Sequence, residues 1–296
     1  MKLEKIKGSI PPVITPFRGN DVDYDAYASL VERQVKEGSH GVLVNGTTAE
    51  PSSLTLDERN RLVDIAIEVV NKRIPVVAQT GSQSLADTLV LTEHANKAGA
   101  DALLVVTPYY IRPPQRGLVS YYLEICSRTE LPVMIYHIPG RTAISVTIDT
   151  VDQIRDKAPN LIGMKHVVND LGFCSDLLME FGMDFRVFVG LEELSFPMMA
   201  VGACGLMNAV SNLVPNAVAQ MCERVFDNDL EGARKIHYDL FELNKSVFYD
   251  TNPIAIKYMM KRMGIIPDNS HRLPMAPATP ELEKRLDKVL ENAHLI

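Results

Sequence analysis

Cysteine is scarce in this chain of 296 residues, and its four thiols, Cys126, Cys174, Cys204 and Cys222, form no CxxC pair and no His–Cys metal spacing. A chain this long has no need of disulfide staples, so the four read as reduced core thiols. The seven histidines show no HExxH pattern or other ligand cluster, which leaves no metal and no cofactor to expect. Long apolar stretches are missing too. Runs such as Ala102 to Val106 and Val133 to Tyr136 fall far short of the ~20 residues that cross a bilayer, so no membrane is expected as a partner. Basic clusters are also absent: 30 Lys and Arg are interspersed with 37 Asp and Glu for a net charge of -7, and no stretch could neutralise a row of phosphates. Nucleic acid is therefore not an expected partner. The opening MKLEKIKGSI lacks the apolar region and small-residue cleavage site of a secretory signal, so a cytoplasmic location is expected.

What the chain does contain is a series of short, β-rich apolar runs. They fall at Gly8 to Thr15, Gly41 to Asn45, Pro75 to Ala78, Ala102 to Val106, Pro132 to Tyr136, Leu161 to Lys165, Val187 to Gly190 and Gly205 to Ala209. Between them lie amphipathic stretches at helical period, such as Tyr24 to Glu37 and Leu56 to Asn71. Continuous apolar runs suit parallel strands covered by helices on both sides, and eight βα units close naturally into a (β/α)8 TIM barrel. The competitor is a doubly wound open sheet, which would usually carry a GxGxxG turn after its first strand, and none is present. Further helical patterns, broken by Pro253, Pro267, Pro274, Pro277 and Pro280, follow the eighth run. The expected organisation is a catalytic barrel over residues 1–225 and a small C-terminal helical extension over 226–296.

The active site of such a barrel gathers at the C-terminal ends of the strands, so the residues closing each run are the candidates. Lys165 closes the sixth run, LIGMK, where its amine would point into the barrel mouth. Desolvation disfavours the charged form of an amine, and a neutral amine attacks a carbonyl to form a Schiff base. A lysine that snorkels to solvent, or pairs with Glu192 or Glu193, fits the position equally well. Tyr136 closes the fifth run beside the loop His137-Ile138-Pro139-Gly140-Arg141-Thr142; its hydroxyl could relay protons, or its ring could simply pack. The second run ends in Asn45-Gly46-Thr47-Thr48-Ala49-Glu50, a turn that is either structural or a cradle for a small carboxylate. Val106-Thr107-Pro108-Tyr109-Tyr110 places two more phenols at the same face.

Together these motifs resemble the dihydrodipicolinate synthase and N-acetylneuraminate lyase group of class I aldolases, from about Gly8 to the C-terminus. GTTAE resembles the group's GTTGE, VTPYY matches after the fourth strand, YHIPGRT resembles YNxPGRT, and GMK matches the segment around the Schiff-base lysine. NPIAIK and RLPMAP resemble segments of the synthase branch. The resemblance implies Lys165 as the imine lysine, Tyr136 as proton relay and Thr47 as the hydroxyl joining it. It also implies Thr48 on the pyruvate carboxylate and Arg141 on the carboxylate of an incoming aldehyde; Gly190 and Met207 are expected as further substrate-binding residues. Tyr110 matches a tyrosine contributed across a dimer interface, which implies a homo-oligomer, dimer or tetramer.

Several positions depart from the usual synthase: Ala49 stands for Gly, His137 for Asn and His166 for Glu, all read as mouth positions. Gly190-Leu191-Glu192-Glu193 is closer to the lyases, and Met207-Asn208 stands where Ile or Val and a small Ser are usual. Changed contacts of this kind alter specificity. Three readings follow: a synthase joining pyruvate to aspartate semialdehyde for lysine and diaminopimelate biosynthesis, a related pyruvate aldolase or lyase acting on another aldehyde or a 2-keto-3-deoxy or sialic-type acid, and a barrel without catalysis.

Overall fold

The computed structural model describes residues 3–296. Eight parallel strands form one sheet: β1 Gly8–Ser9, β2 Val42–Val44, β3 Val76–Gln79, β4 Ala102–Val106, β5 Val133–His137, β6 Leu161–His166, β7 Arg186–Val189 and β8 Gly205–Leu206. From β2 to β8 each pairs with its neighbours in chain order, and β1 pairs with β8. The ring closes through Pro12 and Leu43, where Leu43 N donates to Pro11 O and Val13 N donates to Leu43 O. This closure excludes the open sheet, and the (β/α)8 barrel is the observed architecture. The first run was expected to be strand from Gly8 to Thr15, yet only two residues are regular strand. Pro11, Pro12 and Pro16 have no N–H to give a ladder, so this segment closes the barrel with isolated bonds.

The outer layer contains α1 Tyr24–Lys36, α2 Leu56–Val70, α3 Leu85–Ala98, α4 Gln115–Cys126, α5 Ile148–Arg155, α6 Leu171–Phe181, α7 Ser195–Ala200 and α8 Pro215–Phe226. Their starts are written locally. Asp23, Thr55, Ser84 and Asp170 each accept a backbone N–H from the first turn that follows, and Thr55 with Glu58 forms a capping box. Removing such a cap costs about 1 kcal/mol.

Burial on both faces explains the unbroken apolar runs. Along β5, Val133 and Ile135 pack outward under the helices, while Met134 and Tyr136 face the barrel interior with Leu104, Phe188 and Met207. The four cysteines are all buried and free. No helix among the described residues is long and apolar enough to cross a membrane.

After α8 come α9 Leu230–Asp239, α10 Phe241–Ser246, α11 Ile254–Arg262 and α12 Pro280–Asn292. The segment from Leu230 to Ser246 is thus divided into two helices at Leu240. α11 buries Ile254 through Met260 without interruption. A fully buried aliphatic side chain such as Ile256 contributes roughly 1.5–3 kcal/mol, so this helix is fixed against the barrel mouth. Lys257 belongs to the buried stretch; its Nζ lies 2.5 Å from Glu50 Oε1 and donates to Ser270 O, while His271 Nδ1 lies 3.0 Å from Glu50 Oε2. Burial pulls the Lys257 amine below its usual range and the Glu50 carboxylate opposes that pull. The cluster ties the turn after β2 to the C-terminal extension.

Candidate active site

Lys165 sits on β6 with its Cα paired to Tyr136 on β5 and Phe188 on β7. Strand alternation turns its side chain into the barrel. Only 3% of the residue is exposed, which rules out a snorkelling amine. Glu193 is exposed, and Glu192 directs Oε1 to the backbone N–H groups of Ala209 and Val210, at 2.5 and 3.3 Å. Lys165 forms no salt bridge among the described residues. Its Nζ instead lies 4.4 Å from the Tyr136 ring centroid.

The Tyr136 hydroxyl is 3.0 Å from Thr47 Oγ1, so the phenol has a hydroxyl partner as well as an apolar barrel around its ring. Thr47 begins a single 3-10 turn, Thr47–Ala49, entered through Asn45 at φ 59° and left through Glu50 at φ 56°. Such left-handed residues reverse the chain sharply enough to face both hydroxyls inward. Thr48 is buried and its hydroxyl accepts from Asn252 Nδ2 at 3.0 Å. Arg141 lies on the helical turn Pro139–Thr142, with Nη2 3.4 Å from Asn252 O.

Thr47, Thr48, Tyr136, Arg141, Lys165, Gly190 and Met207 line one inner cavity of about 40 Å³. One water needs roughly 10–15 Å³ by the same measure, so the inner end admits a few small groups. The lining turns outward through Thr47, Tyr136, Ile138, Arg141 and Asn252 into a pocket of about 290 Å³ that also meets Arg59 and Tyr109. Glu192 lines the inner cavity, and burial pushes its carboxyl up to about 7 against the pull of its backbone N–H partners and of Lys165.

Tyr110 is the exception among the candidates. It is 85% exposed at φ 73° and lines neither cavity of its own chain. Two of the departures are also not at the mouth. His137 and His166 share the outward register of Val133, Ile135 and Met164; the His166 ring stacks with His137 and with Phe173 of α6, and His137 meets Phe173 at a tilt. They occupy the layer behind the site because each follows an inward residue by one, and strand alternation reverses its direction. Asn208 is likewise no pocket residue. It donates to Ser195 Oγ and accepts from Ser211 Oγ, satisfying a polar group buried to 2%. Ala49 is buried, its carbonyl accepting from Thr15 Oγ1.

The family model of the dihydrodipicolinate synthetase family matches residues 5–293. The chain belongs to that family. A 4-hydroxy-tetrahydrodipicolinate synthase of Thermus thermophilus is 44% identical over 98% of this chain and 97% of its own length. Among solved structures, dihydrodipicolinate synthase from Aquifex aeolicus matches with a TM-score of 0.96 at 35% identity, covering 98% of this chain and 99% of that one. The chloride-inhibited synthase from Acinetobacter baumannii, complexed with pyruvate, matches with a TM-score of 0.95 at 33% identity over 98% of this chain and 100% of that one. The chain is accordingly an aldolase-type lyase of the dihydrodipicolinate synthetase family. Asn252 is among the cavity residues that the sequence did not single out, although the NPIAIK segment contains it. Its distance along the chain hid its role: it touches both Thr48 and Arg141 from the C-terminal extension.

Proposed function

We propose that this protein condenses pyruvate with aspartate semialdehyde, as a 4-hydroxy-tetrahydrodipicolinate synthase of lysine and diaminopimelate biosynthesis. The observation that carries the reading is Lys165, buried without an ion pair beside the Tyr136–Thr47 hydroxyl pair. In this mechanism the neutral Lys165 amine adds to the pyruvate keto carbon. Tyr136, coupled to Thr47, moves a proton from the nitrogen to the carbinolamine oxygen, and the proton that the Lys165 ammonium gave up on becoming neutral returns to that hydroxyl, which leaves as water. The resulting iminium withdraws electrons from the pyruvate methyl group; a proton leaves that carbon, and the enamine attacks the aldehyde. Thr48 helps hold the pyruvate carboxylate. Arg141, where the inner cavity widens, holds the second carboxylate through paired charge-assisted bonds.

The small inner cavity suits a short keto acid with the second substrate outside it. No metal or cofactor is needed for these steps. We assign residues 1–225 to the catalytic barrel and 226–296 to a C-terminal extension that delivers Asn252. The exposed Tyr110 and Ile111 suit a subunit interface, so we assign the working form to a homo-oligomer in which Tyr110 completes the partner's relay. A cytoplasmic location agrees with four free buried thiols.

Steady-state turnover of pyruvate with aspartate semialdehyde, set against pyruvate release from sialate and 2-keto-3-deoxy sugar acids, tests the substrate. The synthase reading requires the first to dominate, and Arg141→Lys to raise its KM and lower turnover while the imine still forms. Faster release from the sugar acids would replace it with the lyase reading.

A further inference from the structure

Glu192 has a feature that neither the relay nor the carboxylate sites use. Its Oε1 is held by two backbone N–H groups, whereas Oε2 is buried with no hydrogen-bond partner among the described residues, and the residue lines the same inner cavity as Lys165. An unpaired buried carboxyl oxygen is expensive to keep. The other ionisable groups of that cavity are Lys165, Tyr136 and Arg141. Glu193 alongside is exposed, and α10, which packs on this turn, buries Leu243 and Asn244 while Glu242 and Lys245 face solvent. Among the described residues no second carboxylate therefore competes for a proton in the cavity.

We propose that Glu192 is the proton acceptor for Lys165: through a water in the shared cavity, its free oxygen takes the proton that the ammonium must lose before the amine attacks a carbonyl. The inference rests on the imine reading above. Proton transfer gives Lys165 amine and Glu192 carboxylic acid. Addition then forms the N–C bond of the carbinolamine, and Tyr136 shifts one proton from nitrogen to oxygen. As the C–O bond breaks, the Glu192 proton is returned to the departing hydroxyl. The products are the iminium, one water and the Glu192 carboxylate, so the pair ends with the charges it began with. A carboxyl pushed up to about 7 by burial is suited to both accept and return the proton near neutrality.

The test is the rate of pyruvate adduct formation, trapped with borohydride from pH 5.5 to 9, in the full chain and in Glu192→Gln. Glutamine keeps the acceptor for Ala209 and Val210 but cannot hold the proton. The wild-type rate should climb with pH and level off above an inflection near 7; Glu192→Gln should melt like the wild type, be slower by about 100-fold, and lack that inflection. Glu192→Asp should restore the inflection. A Glu192→Gln rate and pH profile within threefold of wild type would overturn the inference and leave the imine reading standing. Absence of any adduct in the wild type would overturn both.

Discussion

Gly190→Ala should disable the lysine more than it disturbs the fold. A Cβ at Gly190 would lie 2.8 Å from Lys165 Cε and 2.5 Å from Val167 Cγ2, both closer than real carbon contacts allow. Neither atom is backbone. The Lys165 stem is flexible near its end, so the clash is relieved by swinging the amine off the Tyr136 ring. Overpacking typically costs about 1–3 kcal/mol, which sets the largest loss of stability to expect. Displacing a reacting group by about 1 Å can cost on the order of 100-fold in rate. Pyruvate adduct formation should therefore fall by about that factor while the melting temperature drops only by a few degrees. Gly140→Ala is the control. No described residue lies within 4 Å of its added Cβ, and the position is in a helical turn next to Arg141, so turnover should stay within about twofold. Wild-type adduct formation in Gly190→Ala would refute the packing argument, as would complete unfolding, which would mean that the backbone yields before the lysine does.

Tyr136→Phe and Thr47→Val each remove one hydroxyl of a pair 3.0 Å apart, and each should lower turnover by about 100-fold; near-normal kcat in Tyr136→Phe would remove it from the relay. The histidine pair behind the site should make the fold acid-sensitive. Burial first, and then the neighbouring His166 ring, hold His137 down to about 4, and burial also lowers His166. The unfolded chain binds these protons near 6.5, so between pH 6.5 and 4 it binds more protons than the fold, and stability falls as pH falls. For His137 the loss is at most about 3 kcal/mol, and His137→Asn should flatten the decline in urea midpoints from pH 7 to 5; parallel declines would contradict this. Mixing inactive Tyr110→Phe with inactive Lys165→Ala should recover partial activity on subunit exchange, and no recovery despite exchange would place Tyr110 outside the partner's site.

The barrel was legible because burial on both strand faces writes itself as unbroken apolar runs, and because caps such as Thr55 and Ser84 mark helix starts. Strand ends placed Lys165 and Tyr136 at the mouth, but position alone left a solvent-reaching amine and a merely packed ring open, and only the resemblance of the motifs supplied the roles. Direction was harder. His137 and His166 adjoin site residues in sequence, but one step along a strand reverses the face, and only the register shows both against Phe173. Asn252 and the Glu50–Lys257 pair were hidden for another reason: these contacts join residues about 200 apart, and local pattern carries no trace of them.

Intact-mass analysis after borohydride treatment with pyruvate bears most directly on the central claim, that Lys165 forms the imine. The account predicts an increment of one reduced pyruvate per chain, located on Lys165 by peptide mapping and absent from Lys165→Ala. A wild-type chain without the increment, or an adduct that survives Lys165→Ala, would contradict it.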